Sequence, residues 1–345
     1  MRHPFHQVQS GFGGLLLCFR KNVHFLLGKL EIEGKDGAEC FSTMNKDKVP
    51  VDFLYPGMMV GGNYRVETFI RRGGSGEVWT VRHVKFEDRR FAVKVLRPGF
   101  GLDLRVVLGL LDDRTKCFYE EVQFCRAIRH RGIVEIVEWG RLSDDRSYMV
   151  MECLEGESLG DLMKREGAMP LHRVLGLVDG ILDVLSAVHK AGVLHRNLKP
   201  PHIFIARQSD GTEYIKLLDF GQAIPVPAAP NSQDSQRGNV LMMSGTPPYI
   251  APEQVKSFPS TPMTDIYALG VLIFKMLTGK LPFDSKSTIG MMRARLYVEP
   301  IDIRCYAKGI PDALAGLLNT MLKRLPEERP PSVDEVKQRL RWIFQ

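Results

Sequence analysis

His195-Arg196-Asn197-Leu198-Lys199-Pro200-Pro201-His202 and, a short way downstream, Leu218-Asp219-Phe220-Gly221 hold the densest chemistry in this chain. The first is a cation-rich turn broken by two prolines. The second follows Ile215-Lys216-Leu217-Leu218, a run of strand formers, so Asp219 stands where a strand ends. Locally, a carboxylate there closes an Asx-turn. On the N-terminal side, Val174, Leu175, Val178, Ile181, Leu182, Leu185 and Val188 recur at helical spacing over residues 172–190. On the C-terminal side the same period returns from Asp265 to Thr278 through Ile266, Leu269, Leu272, Ile273 and Leu277. Gly279 there is placed to cap a helix. Residues 311–343 are helical again, with Pro330-Pro331 as the break.

Residues 60–100 read differently. Tyr64 to Ile70, Glu77 to Val81 and Arg90 to Leu96 are rich in strand formers, and Gly73-Gly74-Ser75-Gly76 makes the turn between the first two. Glycines there permit a tight turn that brings backbone N–H groups against phosphate oxygens. Residues 99–115 are a long connection whose Leu102, Leu104, Val106, Val107, Leu108, Leu110 and Leu111 suit a small extra helix, with a partner-binding surface as the rarer alternative. A helix is expected over Phe118 to Ile128, then strands over Ile133–Arg141 and Ser147–Met151.

Taken in order, these segments resemble a bacterial serine/threonine protein kinase of the eukaryotic type. The signature Gly245-Thr246-Pro247-Pro248-Tyr249-Ile250-Ala251-Pro252-Glu253 is part of that resemblance. It implies an α+β, bilobal protein-kinase-like fold: a small antiparallel β-rich N-lobe at about 58–153 and a larger helical C-lobe at about 154–344. Residues 1–57 are expected as a poorly ordered N-terminal extension, and no membrane anchor is expected beyond Gln345.

The resemblance also assigns a nucleotide site. Gly73 and Gly76 keep two of three spaced glycines, and Arg71 replaces the first. Lys94 corresponds to the lysine on the α- and β-phosphates of ATP, with Glu121 rather than Glu120 as its partner. Val78 and Ala92 form the roof over adenine and Ile205 the floor. Met151 stands behind the base, and backbone groups of Glu152 and Leu154 hold its edge. Asp219 is the ligand for phosphate-bound Mg2+.

The catalytic loop departs from the family. Asn197 occupies the place of the aspartate that accepts the substrate proton, and a carboxamide has no accessible basic pKa. His202 occupies the place of an asparagine that holds a second magnesium, and imidazole is a poor ligand for that hard cation. Single-metal or weakened metal binding is expected. Lys199, which contacts the γ-phosphate in the family, is retained. The expectation is therefore an ATP-binding pseudokinase, or a strongly impaired kinase, that regulates a protein partner by contact. The alternative is a working kinase that phosphorylates protein Ser or Thr. Arg196 is the type that clamps a phosphorylated activation segment, with Ser232, Ser235, Ser244 and Thr246 as possible acceptors. Glu253 is expected to pair with Arg329, and Asp265 to order the catalytic-loop backbone.

Composition agrees without choosing between these. A 345-residue chain with 44% apolar residues has ample material for a two-lobed core. Its +7 charge favours acidic or phosphate-rich partners, but no basic cluster is interleaved with aromatics, so nucleic acid is not expected. Six scattered cysteines with no CxxC fit a reducing cytoplasm. Between Gly11 and Leu30, Arg20, Lys21, Asn22 and His24 interrupt two short apolar runs. No transmembrane span follows, and membrane-surface contact by residues 11–30 is a minor alternative.

Overall fold

The computed structural model describes residues 54–73, 76–96, 112–226, 247–285 and 287–344, all within one compact unit that starts at Leu54. Chain order begins with β1 (Met59–Val60), β2 (Tyr64–Arg72), β3 (Gly76–His83) and β4 (Phe86–Leu96), followed by helix α1 (Asp112–Ala127), β5 (Ile136–Arg141) and β6 (Ser147–Glu152). These six strands make one antiparallel sheet in the order β1-β2-β3-β4-β6-β5. The second half runs β7 (Gly156–Ser158), α2 (Leu159–Glu166), α3 (Leu171–Lys190), β8 (Val193–Leu194), a 3-10 turn at Pro200–His202, β9 (Ile203–Arg207), β10 (Glu213–Leu217) and β11 (Ile224–Pro225). Helices α4 (Pro252–Val255), α5 (Pro262–Thr278), α6 (Thr288–Tyr297), α7 (Asp312–Met321) and α8 (Val333–Phe344) complete it. The expected bilobal α+β architecture is present.

Two apolar cores explain the two lobes. A small one gathers Val60, Tyr64, Val66, Trp79, Val81, Val93, Val95 and Val150 on one face of the sheet. The large one gathers the buried sides of α3, α5 and α7 with Phe118, Val122 and Cys125 of α1 and Met149 of β6, so it reaches up to the sheet's other face. Helix α5 is buried almost all round, from Thr264 to Phe274, as befits a helix at the centre of a helical lobe. Gly279 ends it in the left-handed conformation (φ 70°), its N–H donating to Lys275 O at 2.8 Å.

Boundaries differ from the sequence reading where the pattern carries no signal. Helix α1 begins at Asp112, six residues before the expected Phe118, because Asp112 to Lys116 includes no apolar residue to mark a period. Strand β5 begins at Ile136; the expected Ile133 instead makes an isolated parallel bridge to Leu217, tying the lobes together. The expectations for residues 11–30 and for most of 99–115 fall outside the described residues. So do Ser232, Ser235, Ser244 and Thr246.

Candidate nucleotide and phosphoryl-transfer site

Sheet register builds the upper wall. Directly opposed residues of antiparallel strands share a face. Val78 pairs with Lys94 and Lys94 with Met149, while Thr80 pairs with Ala92 and Ala92 with Met151. Val78, Ala92, Lys94 and Met151 therefore lie on one face, as a nucleotide pocket requires. Ile205 lies below on β9, buried, opposite Glu157. Gly156 sits between the lobes at φ 133°, and a Cβ there would lie 2.0 Å from Ile205 O, so only glycine lets the linking strand approach β9 this closely. Glu152 is committed on two sides: its N–H donates to Glu135 O at 3.0 Å, and its carboxylate accepts from Lys216. Leu154 follows, half-buried, in the same connection.

Lys94 is the charge centre. Its Nζ donates to Glu121 Oε1 at 2.9 Å and Oε2 at 2.8 Å, and more loosely to Asp219 Oδ1 at 3.4 Å. Glu121, not Glu120, is the partner. Burial works against the Lys94 charge, but Asp219 and Glu121 outweigh it and raise its pKa. Burial likewise opposes ionisation of Asp219, and Lys94, His202 and Lys199 overcome it, holding the carboxyl well below the usual range. Asp219 adopts φ 62°, a strained conformation for a residue with a side chain. Next to it, Phe220 is buried edge-on against the His195 ring at 4.9 Å, which anchors the segment.

The catalytic loop hangs from Asp265. Its carboxylate accepts from His195 N (3.0 Å) and Arg196 N (2.8 Å) and contacts His189 Nε2 at 2.9 Å. Gln254 Nε2 donates to Arg196 O at 3.1 Å. Together these hold Arg196 at φ 60°. The ordering role of Asp265 was legible in the sequence; His189 and Gln254 were not, because a lone polar residue on a helix announces nothing about its partner. Arg196 itself is buried, its Nε donating to Ser260 Oγ at 3.0 Å.

His202, buried at the end of the Pro200–His202 turn, spans the loop. Its Nδ1 lies 3.1 Å from Asn197 O and its Nε2 3.1 Å from Asp219 Oδ2. Burial pushes its pKa down to about 3, helped by Lys199, His195 and Lys94 and opposed by Asp219. Both ring nitrogens face acceptor oxygens, and only the protonated ring can donate to both. The donor set would suit one magnesium through Asp219; it does not suit a second, since the remaining position offers an imidazole nitrogen already turned onto that same carboxylate. Among the described residues no group of three or more His, Cys, Asp or Glu side chains is arranged for a metal ion. Asn197 and Lys199 are half-buried in the same loop.

The architecture and this assembly are those of a protein-kinase-like molecule. Residues 64–342 match the protein kinase domain, and the chain belongs to that family, within its bacterial serine/threonine type. Serine/threonine-protein kinase pkn3 of Myxococcus xanthus is 31% identical over 291 residues, 84% of this chain and 51% of the relative. Serine/threonine-protein kinase pkn2 of the same organism is 34% identical over 286 residues, 82% of this chain and 32% of the relative. Serine/threonine-protein kinase PknA of Mycobacterium tuberculosis is 33% identical over 241 residues, 68% of this chain and 52% of the relative. The chain thus spans a third to a half of the length of these relatives. Among the described residues no helix is long and apolar enough to cross a membrane.

Proposed function

We propose that this protein binds ATP and transfers its γ-phosphate to Ser or Thr hydroxyls of a protein substrate, at a rate lowered by Asn197 and His202. The assembled contact of Lys94 with both Glu121 oxygens, with Asp219 within reach, carries this reading. The three relatives above are serine/threonine-protein kinases by name, which supports an enzyme over a regulator. Magnesium supplies phosphate-charge neutralisation when bound at Asp219. In this reading Lys94 holds the α- and β-phosphates and Lys199 the γ-phosphate. Asn197 orients the incoming hydroxyl as a hydrogen-bond acceptor. It takes no proton: the hydroxyl oxygen bonds to the γ-phosphorus as the bond to the bridging oxygen of ADP breaks, and the hydroxyl proton passes to an oxygen of the transferred phosphoryl group and then to water, so positioning and charge carry the reaction.

A second reading has its own support: contact of His202 with Asp219 Oδ2 favours a pseudokinase that binds nucleotide and acts through protein contacts. Radiolabelled phosphate transfer to protein, lost in Asp219→Ala, supports the enzyme. ATP-dependent thermal stabilisation with no transfer at any enzyme concentration supports the regulator. A cytoplasmic location belongs to the same proposal.

A further inference from the structure

Arg71 replaces a glycine, and the sheet aims it into the cleft. The β2–β3 register runs Val66 opposite Val81, Phe69 opposite Trp79 and Arg71 opposite Val78, with one irregularity before Phe69 and a second after it. Each re-aims the side chains beyond it, and the two cancel, so Arg71 lies on the face that alternation from Val66 gives it. Ile70 is left 47% exposed, and Arg71 joins Val78 and Lys94 in one cross-strand row.

The guanidinium then crosses to the lower lobe. Its Nη1 donates to Pro201 O at 3.2 Å, within the turn that begins after Lys199 and ends in His202. Among the described residues it has no carboxylate within ion-pair distance. Asp161 feels its field, but that carboxylate is already engaged by Ser158 Oγ at 2.7 Å and Lys164 Nζ at 3.0 Å. Lys199 lies close enough that Arg71 adds to the burial that lowers the lysine's pKa, against Asp219. The Arg71 guanidinium, exposed at the mouth of the cleft, is thus held by one neutral carbonyl within reach of the Lys199 charge. The same site does not fit a second magnesium.

We propose that Arg71 is a triphosphate-binding residue, a side-chain cation that neutralises the phosphate charge a second metal would otherwise carry. This rests on the nucleotide-binding reading above and extends it to the metal requirement. A guanidinium offers several N–H donors in a planar fork suited to phosphate oxygens, and the bond to Pro201 O uses one.

The test measures ATP and adenosine binding by calorimetry in EDTA, for wild type and for Arg71→Gln. Glutamine can still donate to Pro201 O but carries no charge. The expected result is ATP binding weakened about 10- to 100-fold, the range for a hydrogen bond to a charged group, with adenosine binding unchanged. ATP binding as tight in Arg71→Gln as in wild type overturns the proposal, as does an equal loss for ATP and adenosine, which marks a purely structural link between lobes. If wild type binds adenosine but gains nothing from the phosphates, the adenine pocket stands and the role of Arg71 falls. If it binds neither, the nucleotide reading falls with it.

Discussion

The ion pairs Glu253–Arg329 and Lys94–Glu121 are built alike and serve opposite ends. Both are buried and both make two contacts between 2.8 and 2.9 Å. Around Arg329, however, everything is closed. Its Nη1 and Nη2 take both Glu253 oxygens plus Met263 O and Arg324 O, and its Nε takes Lys323 O, so all five donors are spent. Thr264 adds a bond to Glu253 Oε1 at 2.8 Å. Lys94 keeps its third donor on a long 3.4 Å contact to Asp219, whose side chain is still 22% exposed to the cleft. A saturated pair can only hold the fold. A pair with one weak bond facing a cleft has something to give a ligand.

This contrast can be broken or sharpened by experiment. The largest effect concerns neither pair but the loop between them. Asn197→Asp with His202→Asn should raise phosphate transfer by about 10²–10⁴, the usual worth of a general base, with ATP affinity little changed. Equal transfer before and after would show that these two positions do not limit the rate. Next, Arg329→Leu leaves Glu253 buried without its partner and should cost about 3–5 kcal/mol in denaturant unfolding. Nucleotide affinity of the folded fraction should stay as it was. Lys94→Met also leaves a buried carboxylate, Glu121, without its partner and should cost a similar ~3–5 kcal/mol, but with a clear fall in ATP affinity by calorimetry. If both substitutions hit affinity equally, the distinction between closed and open pairs fails.

The smallest effect is a pH slope. Burial opposes ionisation of Asp265, but His189 and the His195 backbone N–H outweigh it and hold the carboxyl below its usual range. A depressed carboxylate stabilises the fold fully above the unfolded-state pKa near ~4, and that contribution is lost as pH falls below it. Asp265→Asn should therefore flatten the acid limb of the stability curve below about pH 4, whatever it does to stability at neutrality. An unchanged acid limb would assign that limb to other carboxylates.

Much of the site was legible because its residues announce themselves locally. Lys94 sits in a strand-forming run, Asp219 precedes Phe-Gly at a strand end, and Gly279 closes a helical period. The helical lobe could be read from spacing alone, since a stripe of apolar residues has one way to be buried. Other features left no such mark. His189 and Gln254 each bond a residue far away in sequence, and polar residues on helices show no period that names a partner. The start of α1 was missed because its first turns carry no apolar stripe.

Residue types and their order along the chain, with the protein-kinase resemblance they carry, were enough to expect the lobes, the Lys94–Glu121 pairing and the departures at Asn197 and His202, because motif identity and order are properties of the string of residues. Where His202 turns its ring, and what the Arg71 guanidinium reaches, depended on the folded molecule. The first is settled by a carboxylate arriving from the next strand end, the second by the Pro201 carbonyl of the other lobe. Both contacts join separate elements of the fold, and how elements meet across space is something no local stretch of sequence records.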